Sequence, residues 1–541
     1  MASRLFEVLL ERRGVDADFL APQYDNKWLC DTADLPDVDK AVKRLMQARE
    51  AGEKILIFGD YDVDGVTASI VMKECLETLG LTVVGVMLPD RFDEGYGMHE
   101  GVVVKAVELE ATLVVTVDTG SSSEEVIEML KKEGVETIVT DHHECAKPPK
   151  SAVAVVNPKR KDSKYPNRDL AGVGVAFKLM YALDKAVPLG ERVVGWEKWS
   201  LDLVALGTVC DSMPLVGENR ALVYWGMKVL ERTRRTGLRV LMGEAGVNKV
   251  DTMSIGFMIG PRINAAGRMD SAYKAYGLLT EESTAKAVEL AHGLNELNAE
   301  RRNLQDKAFE SACRKIEKTD AKVIAVKGKW NQGVIGIVAG KLTERYMRPS
   351  VVFTEKDGLL LGSARSFGDF DLAEAVSVCK DLLVVGGGHK YAAGLTVEKD
   401  NYELLVAKLN EYYLSLELKD QEKYLKREAD VVLRGLDEMT VEFAHELRKL
   451  EPFGEGNPEV VVELSGMTVT DVRMMGRGGK HLALTVVDKG GLGMRLVKFS
   501  MPEEWDLHVG SVVDVTVVPR INSWRGIERV EGEILGIEVA S

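Results

Sequence analysis

Between residues 53 and 157, short runs of β-branched and aliphatic residues alternate with longer stretches whose apolar residues recur at helical spacing. The runs "EKILIFGD", "LTVVGVML", "ATLVVTVD", "VETIVTD" and "AVAVVN" are apolar almost throughout, as strands buried on both faces are. Between them, "SIVMKECLETLG" and "SSEEVIEMLKKEG" predict helices. Strand and helix in alternation predict a parallel sheet with helices on both faces. Its ligand is expected beyond the carboxyl ends of the strands.

From about residue 170 to 320 the spacing stays helical. Its longest stretch, 281–318, strings Leu290, Leu294, Leu297, Leu304, Ala308, Phe309, Ala312 and Ile316 along one stripe, with Arg301, Arg302 and several acids between them. That predicts a helix joining two lobes or lying within one. Strand pattern returns at "AKVIAVKG" (321–328) and closes near "GGGHKYAAGLTV" (386–397). After the turn-forming "EPFGEGNPE" (451–459), five short alternating runs predict a small barrel, OB-like in its strand count. The expected architecture is α/β. An N-terminal segment (1–50) packs on a catalytic domain (51–235), followed by a helical connector (236–320), a smaller α/β domain (321–415), a linker (416–450) and the barrel (451–541).

Composition adds limits. With 541 residues, 45% hydrophobic and 29% charged, the chain has ample material for several buried cores. Six cysteines (Cys30, Cys75, Cys145, Cys210, Cys313, Cys379) show no CxxC spacing, which argues against a thiolate zinc site or a disulfide framework and suits a reducing cytoplasm. The opening "MASRLFEVLLERRG" has acids and arginines among its apolar positions, so it reads as neither a signal peptide nor a membrane span. A net charge of −15 argues mildly against nucleic acid as a partner. Carboxylates gathered around cations would weaken that argument.

The strand ends carry the chemistry. "LIFGDYDVDG" places Asp60, Asp62 and Asp64 at alternate positions, "VVTVDTG" ends in Asp118, and "TIVTDHH" ends in Asp141-His142-His143. If the first segment stays extended, its three carboxylates share one side and raise one another's pKa. Divalent cations resolve that conflict. Any one of these acids could simply cap a helix, but three strand ends converging on one sheet edge exceed what capping needs. Carboxylates with imidazole and no thiolate suit manganese, magnesium or zinc. Asp141 is placed to orient the strand end, and His143 to support the metal shell. Asp211, in "DLVALGTVCDSMPL", is expected across the crevice or as a plain helix-terminal acid.

Two further clusters suit anions. "GPRINAAGRM" offers Arg262, Asn264 and Arg268, and "GSARS" offers Ser363, Arg365 and Ser366. "GGGHKYAAG" adds His389 and Lys390 on a glycine loop. With the acids they point to metal-assisted phosphoester hydrolysis, in which two cations about 3.5 to 4 Å apart act together. The P-loop pattern is absent, which disfavours a nucleotide-driven motor.

At "DYDVDG", "VTVDTG", "TDHHE" and "GTVCDSMPL" the chain resembles the DHH phosphoesterase superfamily, and "GGGHKYAAG" resembles the DHH-associated domain. Within it, "LPDVDKAVKRLMQAREAGEKILIFGDYDVDGVTA", "GPRINAAGRM", "LNELNAERR", "GVIGIVAGKLTERYMRPSVVF" and "EPFGEGNPE" resemble the bacterial RecJ single-stranded-DNA exonucleases. The resemblance implies a 5′-to-3′ exonuclease in DNA repair and recombination that uses two Mn²⁺ or Mg²⁺ ions. It implies a metal set of Asp60, Asp62, Asp64, Asp118, His142 and Asp211, with Asp118 bridging and Asp60 the weaker assignment. It implies that His143 meets the scissile phosphate or supports the metal shell, and that Arg262, Asn264, Ser363, Arg365 and His389 hold the substrate. Single-stranded DNA is the implied partner, with single-strand-binding protein and a helicase nearby, and the protein is expected to be a monomer.

One departure concerns the barrel. Residues 451–541 hold 9 Lys and Arg against 14 Asp and Glu, although Arg473, Arg477, Lys480, Lys489, Arg495 and Lys498 form a local strip opposed only by Asp488. Such a strip can track a single strand, with Trp524 or His481 as stacking surfaces, or it is a solvated barrel face. The alternative enzyme is a relative acting on short oligonucleotides or cyclic dinucleotides. The alternative class is a DNA-binding relative without metals, which should have lost acids that this chain keeps.

Overall fold

The computed structural model describes residues 3–539 apart from 93–96, 189, 191, 317–319, 417, 419–427, 477–480, 500–504 and 506. The chain divides into two units. One comprises Cys30–Met213 and Trp225–Leu425; the other comprises Met1–Leu29, Pro214–Tyr224 and Lys426–Ser541. No helix among the described residues is long and apolar enough to cross a membrane.

In the first unit, the five apolar runs form strands β1 (Lys54–Phe58), β2 (Thr82–Met87), β3 (Leu113–Val117), β4 (Glu136–Thr140) and β5 (Ala154–Val156). They pair in the order β2-β1-β3-β4-β5, all parallel, as the pattern predicts. Leu56, Phe58, Val114 and Val139 pack beneath Ile127 and Leu130 from a covering helix. Strand order reverses between β1 and β3, and a crevice opens at the carboxyl ends where it does. The acids singled out in the first domain follow β1, β3 or β4, except Asp211, which follows the helix Leu201–Cys210.

The same unit holds a second sheet: β6 (Ile324–Gly328), β7 (Ser350–Lys356), β8 (Leu359–Arg365), β9 (Leu383–His389) and β10 (Ala392–Glu398), in the order β6-β7-β8-β10-β9. Only β6 and β7 run parallel; the other pairs are antiparallel. The long helix is Thr284–Ile316. Its last turns give Ala308, Ala312 and Ile316 to a core with Ile324, Val334 and Val338. Its earlier turns pack on the helices Thr236–Glu244 and Gly260–Met269. It therefore joins the two lobes.

The second unit is built on β11 (Val431–Leu433), β12 (Val462–Met475), β13 (His481–Val487), β14 (Gly493–Lys498), β15 (Val512–Trp524) and β16 (Ile527–Val539). The order β12-β13-β14-β16-β15 closes on itself through the β12–β15 pairing, which gives the five-stranded barrel. Two expectations change here. Residues 1–29 group with the barrel rather than the catalytic domain: the helix Arg4–Arg13 buries Phe6 and Leu9 in the barrel's core, and Arg13 meets Asp430 at 2.9 Å. An amphipathic helix announces its apolar face but not the sheet that face will cover. The expected linker is also shorter than 416–450. Val431, Leu433, Phe443, Leu447 and Leu450 all belong to the barrel's core, while residues 417 and 419–427 lie outside the described residues.

Arg220 ties this unit together. Its buried guanidinium stacks 3.7 Å from the centre of the Phe19 ring and donates to the carbonyls of Phe19, Leu450, Glu451 and Pro452 at 2.8 to 3.3 Å. Burial pulls its pKa down to about 10, so it stays charged at neutral pH. Replacing it leaves carbonyls without donors, which costs more than the bonds themselves contribute. Arg220→Met is expected to lower the stability of this unit by about 3 kcal/mol, read as a shifted denaturant midpoint at unchanged slope.

Candidate metal centre

β1 is followed by Gly59 and Asp60, and the chain then turns directly into the helix Val63–Thr78. The segment does not stay extended, because Asp62 caps that helix: its Oδ1 accepts from Gly65 N at 3.1 Å. Asp64 lies in the first turn. Its two oxygens accept from Gly172 N at 2.6 Å and Val173 N at 2.9 Å, at the start of the buried helix Gly172–Ala186. The three carboxylates still converge, through a turn rather than a strand face.

Asp118 ends β3 in the left-handed region, with φ 60°. A non-glycine residue held there is strained, and such positions collect at functional sites. The turn is closed by the Thr116 hydroxyl, which donates to Thr119 O at 2.7 Å. Asp211 caps the end of the helix Leu201–Cys210 and reaches the same crevice, so it joins the acids of the strand ends. His142 Nε2 faces three carboxylates: Asp118 Oδ1 at 3.0 Å, Asp211 Oδ2 at 3.5 Å and Asp64 Oδ2 at 3.8 Å.

Ligand atoms fall into overlapping groups within 4.8 Å: Asp60, Asp62 and Asp118; Asp64, His142 and Asp211; and Asp118 with both histidines. All six residues of the implied metal set are thus brought together, and Asp118 borders both halves. Asp60 Oδ1, Asp118 Oδ1 and Asp211 Oδ2 are buried and accept no aligned hydrogen bond from the described residues. Buried carboxylate oxygens facing one neutral imidazole nitrogen fit a divalent cation.

The titration behaviour agrees. Burial, then the charge of Asp62, pushes Asp60 up to about 8 and Asp64 up to about 7. Burial, then the other carboxylates, raises Asp118 and Asp211 well above the usual range. Burial and the His143 charge pull His142 down to about 3, leaving it neutral as a ligand must be. His143 goes the other way. Burial opposes its charge, but the hydrogen bond and charge of Asp141, with Asp211 and Asp60 beyond, push it up to about 9.

Asp141 orients His143 rather than the ligand histidine. Its Oδ1 meets His143 Nδ1 at 2.8 Å and also accepts from the backbone N–H groups of His142 and His143, while Oδ2 accepts from Ser121 N at 2.8 Å. Asn157 completes the mount by donating to the His143 carbonyl at 2.9 Å and to Ser121 Oγ at 2.8 Å. A Cβ at Gly172 would stand 2.5 Å from Asp118 Oδ1, and one at Gly207 would stand 2.5 Å from Asp64 Oδ1. Only glycine lets these helices approach so closely.

The expected anion-binding residues separate. Arg365 Nη1 donates to Ala364 O at 2.8 Å and lies 3.4 Å from Ser363 Oγ. Burial and then the charge of Arg91 hold the Arg365 pKa down; burial, Arg91 and Arg365 pull Arg268 down to about 9. Arg91 lies over the Tyr61 ring at 5.1 Å, Gly267 packs against Tyr61, Arg268 Nη1 donates to Gly333 O at 3.4 Å, and Arg365 Nη2 stands 3.3 Å from where a Cβ at Gly336 would be, so the three guanidinium groups share this corner. His389 is lowered by burial and by the charges of His143, Lys159 and Arg365. Arg262 and Asn264 are engaged elsewhere: Arg262 Nε donates to Asn295 Oδ1 at 3.1 Å and Nη1 to Met258 O at 2.7 Å, while Asn264 Oδ1 accepts from Val63 N at 3.3 Å. Asn264 thus steadies the helix that follows Asp62. Arg91 was not among the residues picked from the sequence, though it follows β2 as the acids follow their strands, and the same strand-end rule would have found it.

Comparison with known proteins follows this geometry. Residues 54–208 match the family model "DHH family, N-terminal domain", 320–414 the "DHHA1 domain", and 430–535 the "RecJ OB domain". The chain is 36% identical over 517 residues to the single-stranded-DNA-specific exonuclease RecJ of Bacillus subtilis, covering 94% of this chain but 63% of that protein. It is 34% identical to the protein of the same name from Escherichia coli, covering 84% of this chain and 82% of the relative. Among solved structures it is similar to Thermus thermophilus RecJ in complex with Mn²⁺, with TM-score 0.84, 29% identity, and 99% and 76% of the two chains covered. It also resembles an exonuclease RecJ bound to manganese, with TM-score 0.61, 33% identity, and 72% and 97% covered.

The raised carboxylates fix the sign of a pH effect. In the folded chain Asp60 and Asp64 hold protons up to about 8 and about 7, against an ordinary 3.8. Without metal, stability should be full below about pH 4 and fall as the pH rises through 7 to 8, because the folded state binds more protons than the unfolded one. Thermal melts in EDTA should show that fall, and saturating Mn²⁺ should remove most of it. A metal-free melting temperature that stays flat or rises from pH 5 to 8 would contradict the crowding of these acids.

Proposed function

The chain belongs to the RecJ family of DHH proteins, and from that membership we propose that it is a metal-dependent exonuclease hydrolysing phosphodiester bonds of single-stranded DNA, 5′ to 3′, to release nucleotides in DNA repair and recombination. The observation that carries the reading is the pair of acid groups, Asp60-Asp62-Asp118 and Asp64-His142-Asp211, side by side in one crevice. Two ions, Mn²⁺ or Mg²⁺, would be held by these residues with Asp118 between them. When bound, they supply Lewis acidity toward the phosphoryl oxygens and acidify a water toward neutral pH.

The chain's own groups do the rest. His143, protonated at neutral pH and locked by Asp141, presents an N–H donor to a phosphate oxygen from the metal side of the crevice. Arg268, Arg365 and Arg91, with Ser363, hold the phosphate at the strand's end. His389, its pKa lowered by burial and then by its cationic neighbours, hydrogen-bonds the backbone. Arg262 spends Nε and one Nη1 hydrogen on Asn295 and Met258, which leaves Nη2 to meet the strand's backbone.

In the barrel, Trp524 lies at the tip of the β15–β16 hairpin, 72% exposed, with Arg525 beside it. The basic strip is weaker than its sequence: Arg473 pairs with Asp471 at 2.7 Å and Arg495 with Glu531 at 3.1 Å, and Arg477 and Lys480 lie outside the described residues. Stacking on Trp524 is therefore the main way the barrel grips a strand. Single-strand-binding protein and a helicase are the proposed partners, the monomer the proposed state, and the cytoplasm the proposed compartment, in keeping with six free cysteines.

Digestion of 5′- and 3′-labelled single strands with Mn²⁺ tests the reading. Loss of the 5′ label as mononucleotide from the first turnovers is expected; efficient cleavage of dinucleotides or cyclic dinucleotides with long strands untouched would favour the short-substrate alternative. Asp118→Ala should lower kcat by about a thousandfold or more while DNA binding persists. Separately, Trp524→Ala should weaken binding of long strands by about 1–3 kcal/mol in a titration and leave cleavage of very short strands unchanged.

A further inference from the structure

Arg91 stands on a short stretch, Leu88–Phe92, that leaves β2 at the rim of the crevice. Its guanidinium rests on the Tyr61 ring at 5.1 Å and pairs with no carboxylate among the described residues. Arg268 and Arg365 both feel its charge. The Tyr61 ring and the charge of Asp60 draw the guanidinium inward, and its backbone sets how far it reaches.

Two side chains clamp that backbone. At one end, Leu88 N–H donates to Tyr273 Oη at 3.0 Å, and the same hydroxyl lies 3.3 Å from Val86 O. At the other, Lys356 Nζ donates to Phe92 O at 2.5 Å, and Phe92 N–H closes a local turn on Asp90 Oδ1 at 2.7 Å. Lys356 is the last residue of β7, whose first residue, Ser350, pairs with Arg365 across the β7–β8 hairpin. One hairpin therefore carries Arg365 itself and the cation that fixes the neighbour of Arg91. A half-buried lysine that gives up rotamer freedom to grip a main-chain carbonyl on the other lobe forms a charge-assisted bond with a fixed address.

We propose that Lys356, with Tyr273, is a positioning residue for the proposed exonuclease reaction: it latches the Phe92 carbonyl and so sets the separation of Arg91 from Arg268 and Arg365 to suit one phosphate group. The inference rests on the reading of that cluster as the strand-end anion site. It assigns to the DHH-associated lobe the task of tuning a cation that belongs to the catalytic lobe. Misplacing a charged donor by about an ångström weakens its contact about 10- to 100-fold.

Steady-state digestion of a 5′-phosphorylated single strand with Mn²⁺ tests this in the full chain. Lys356→Met is expected to raise KM about tenfold with kcat changed less than about twofold, and Lys356→Arg to restore most of the loss. Arg91→Ala should raise KM at least as much, and adding Lys356→Met to it should cost nothing further, since the latch acts only through Arg91. An unchanged KM in folded Lys356→Met, or a double variant whose loss is the product of the two single losses, would overturn the latch. If Lys356→Met fails to fold, Tyr273→Phe is held to the same two criteria. A wild-type enzyme that leaves single strands intact would overturn the functional reading itself, which the wild-type arm reports independently of the variants.

Discussion

Asp60, Asp64 and Asp118 are buried beside the half-buried Asp62 and Asp211, and the catalytic unit is organised around the repulsion among them. Each carboxylate is forced inward by something local: Asp62 by its duty as a helix cap, Asp64 by two amide donors from a neighbouring helix, and Asp118 by a left-handed turn. Glycines at 172 and 207 let two helices close to within one atom's radius of those oxygens. Folding thus crowds carboxylates that must either hold protons or meet a cation. The strain at Asp118 is tolerable because β3 fixes the residue before it and the Thr116 hydroxyl ties down Thr119 after it.

The second lobe answers with the opposite charge. Arg365 on β8 and His389 on β9 come from a mixed sheet whose edge strand is glycine-rich, while Arg268 ends a helix and Arg91 leaves β2. A phosphodiester needs both kinds of field, metal on one side and guanidinium on the other, held far enough apart not to cancel. Burial that depresses the arginine pKa values without neutralising them keeps that field strong.

Much of this was legible in the chain. Five apolar runs became five parallel strands because strands buried on both faces have no polar alternation to blur, and the acids at their ends stood out against them. The convergence of Asp60, Asp62, Asp64, Asp118 and His142 was legible for the same reason. What could not be read was long-range. Phe6 and Leu9 mark an apolar helix face without saying that a barrel more than 400 residues away covers it. Arg262 and Asn264 look like anion ligands by type and spacing; only the fold shows that two of the Arg262 donors go to Asn295 and Met258 and that the Asn264 oxygen goes to Val63. Arg91 follows β2 as the acids follow their strands, yet its partners Arg268 and Arg365 are distant in sequence, so its role shows only in the fold.

The adjacent histidines show how far one residue of displacement can separate two roles. His142 points inward, where burial and the neighbouring imidazolium keep it neutral and its Nε2 lone pair is turned toward three acids. His143, its ring 4.4 Å away, turns toward solvent, and Asp141 makes it a cation. The two effects reinforce each other, since the charge on His143 is part of what keeps the proton off His142. Asp141 is therefore the pivot: it holds the His142 main chain and, although its own charge favours a proton on His142, the cation it creates at His143 and the burial outweigh that. A strand that ended in a single histidine would have to choose between holding the cation and meeting the phosphate.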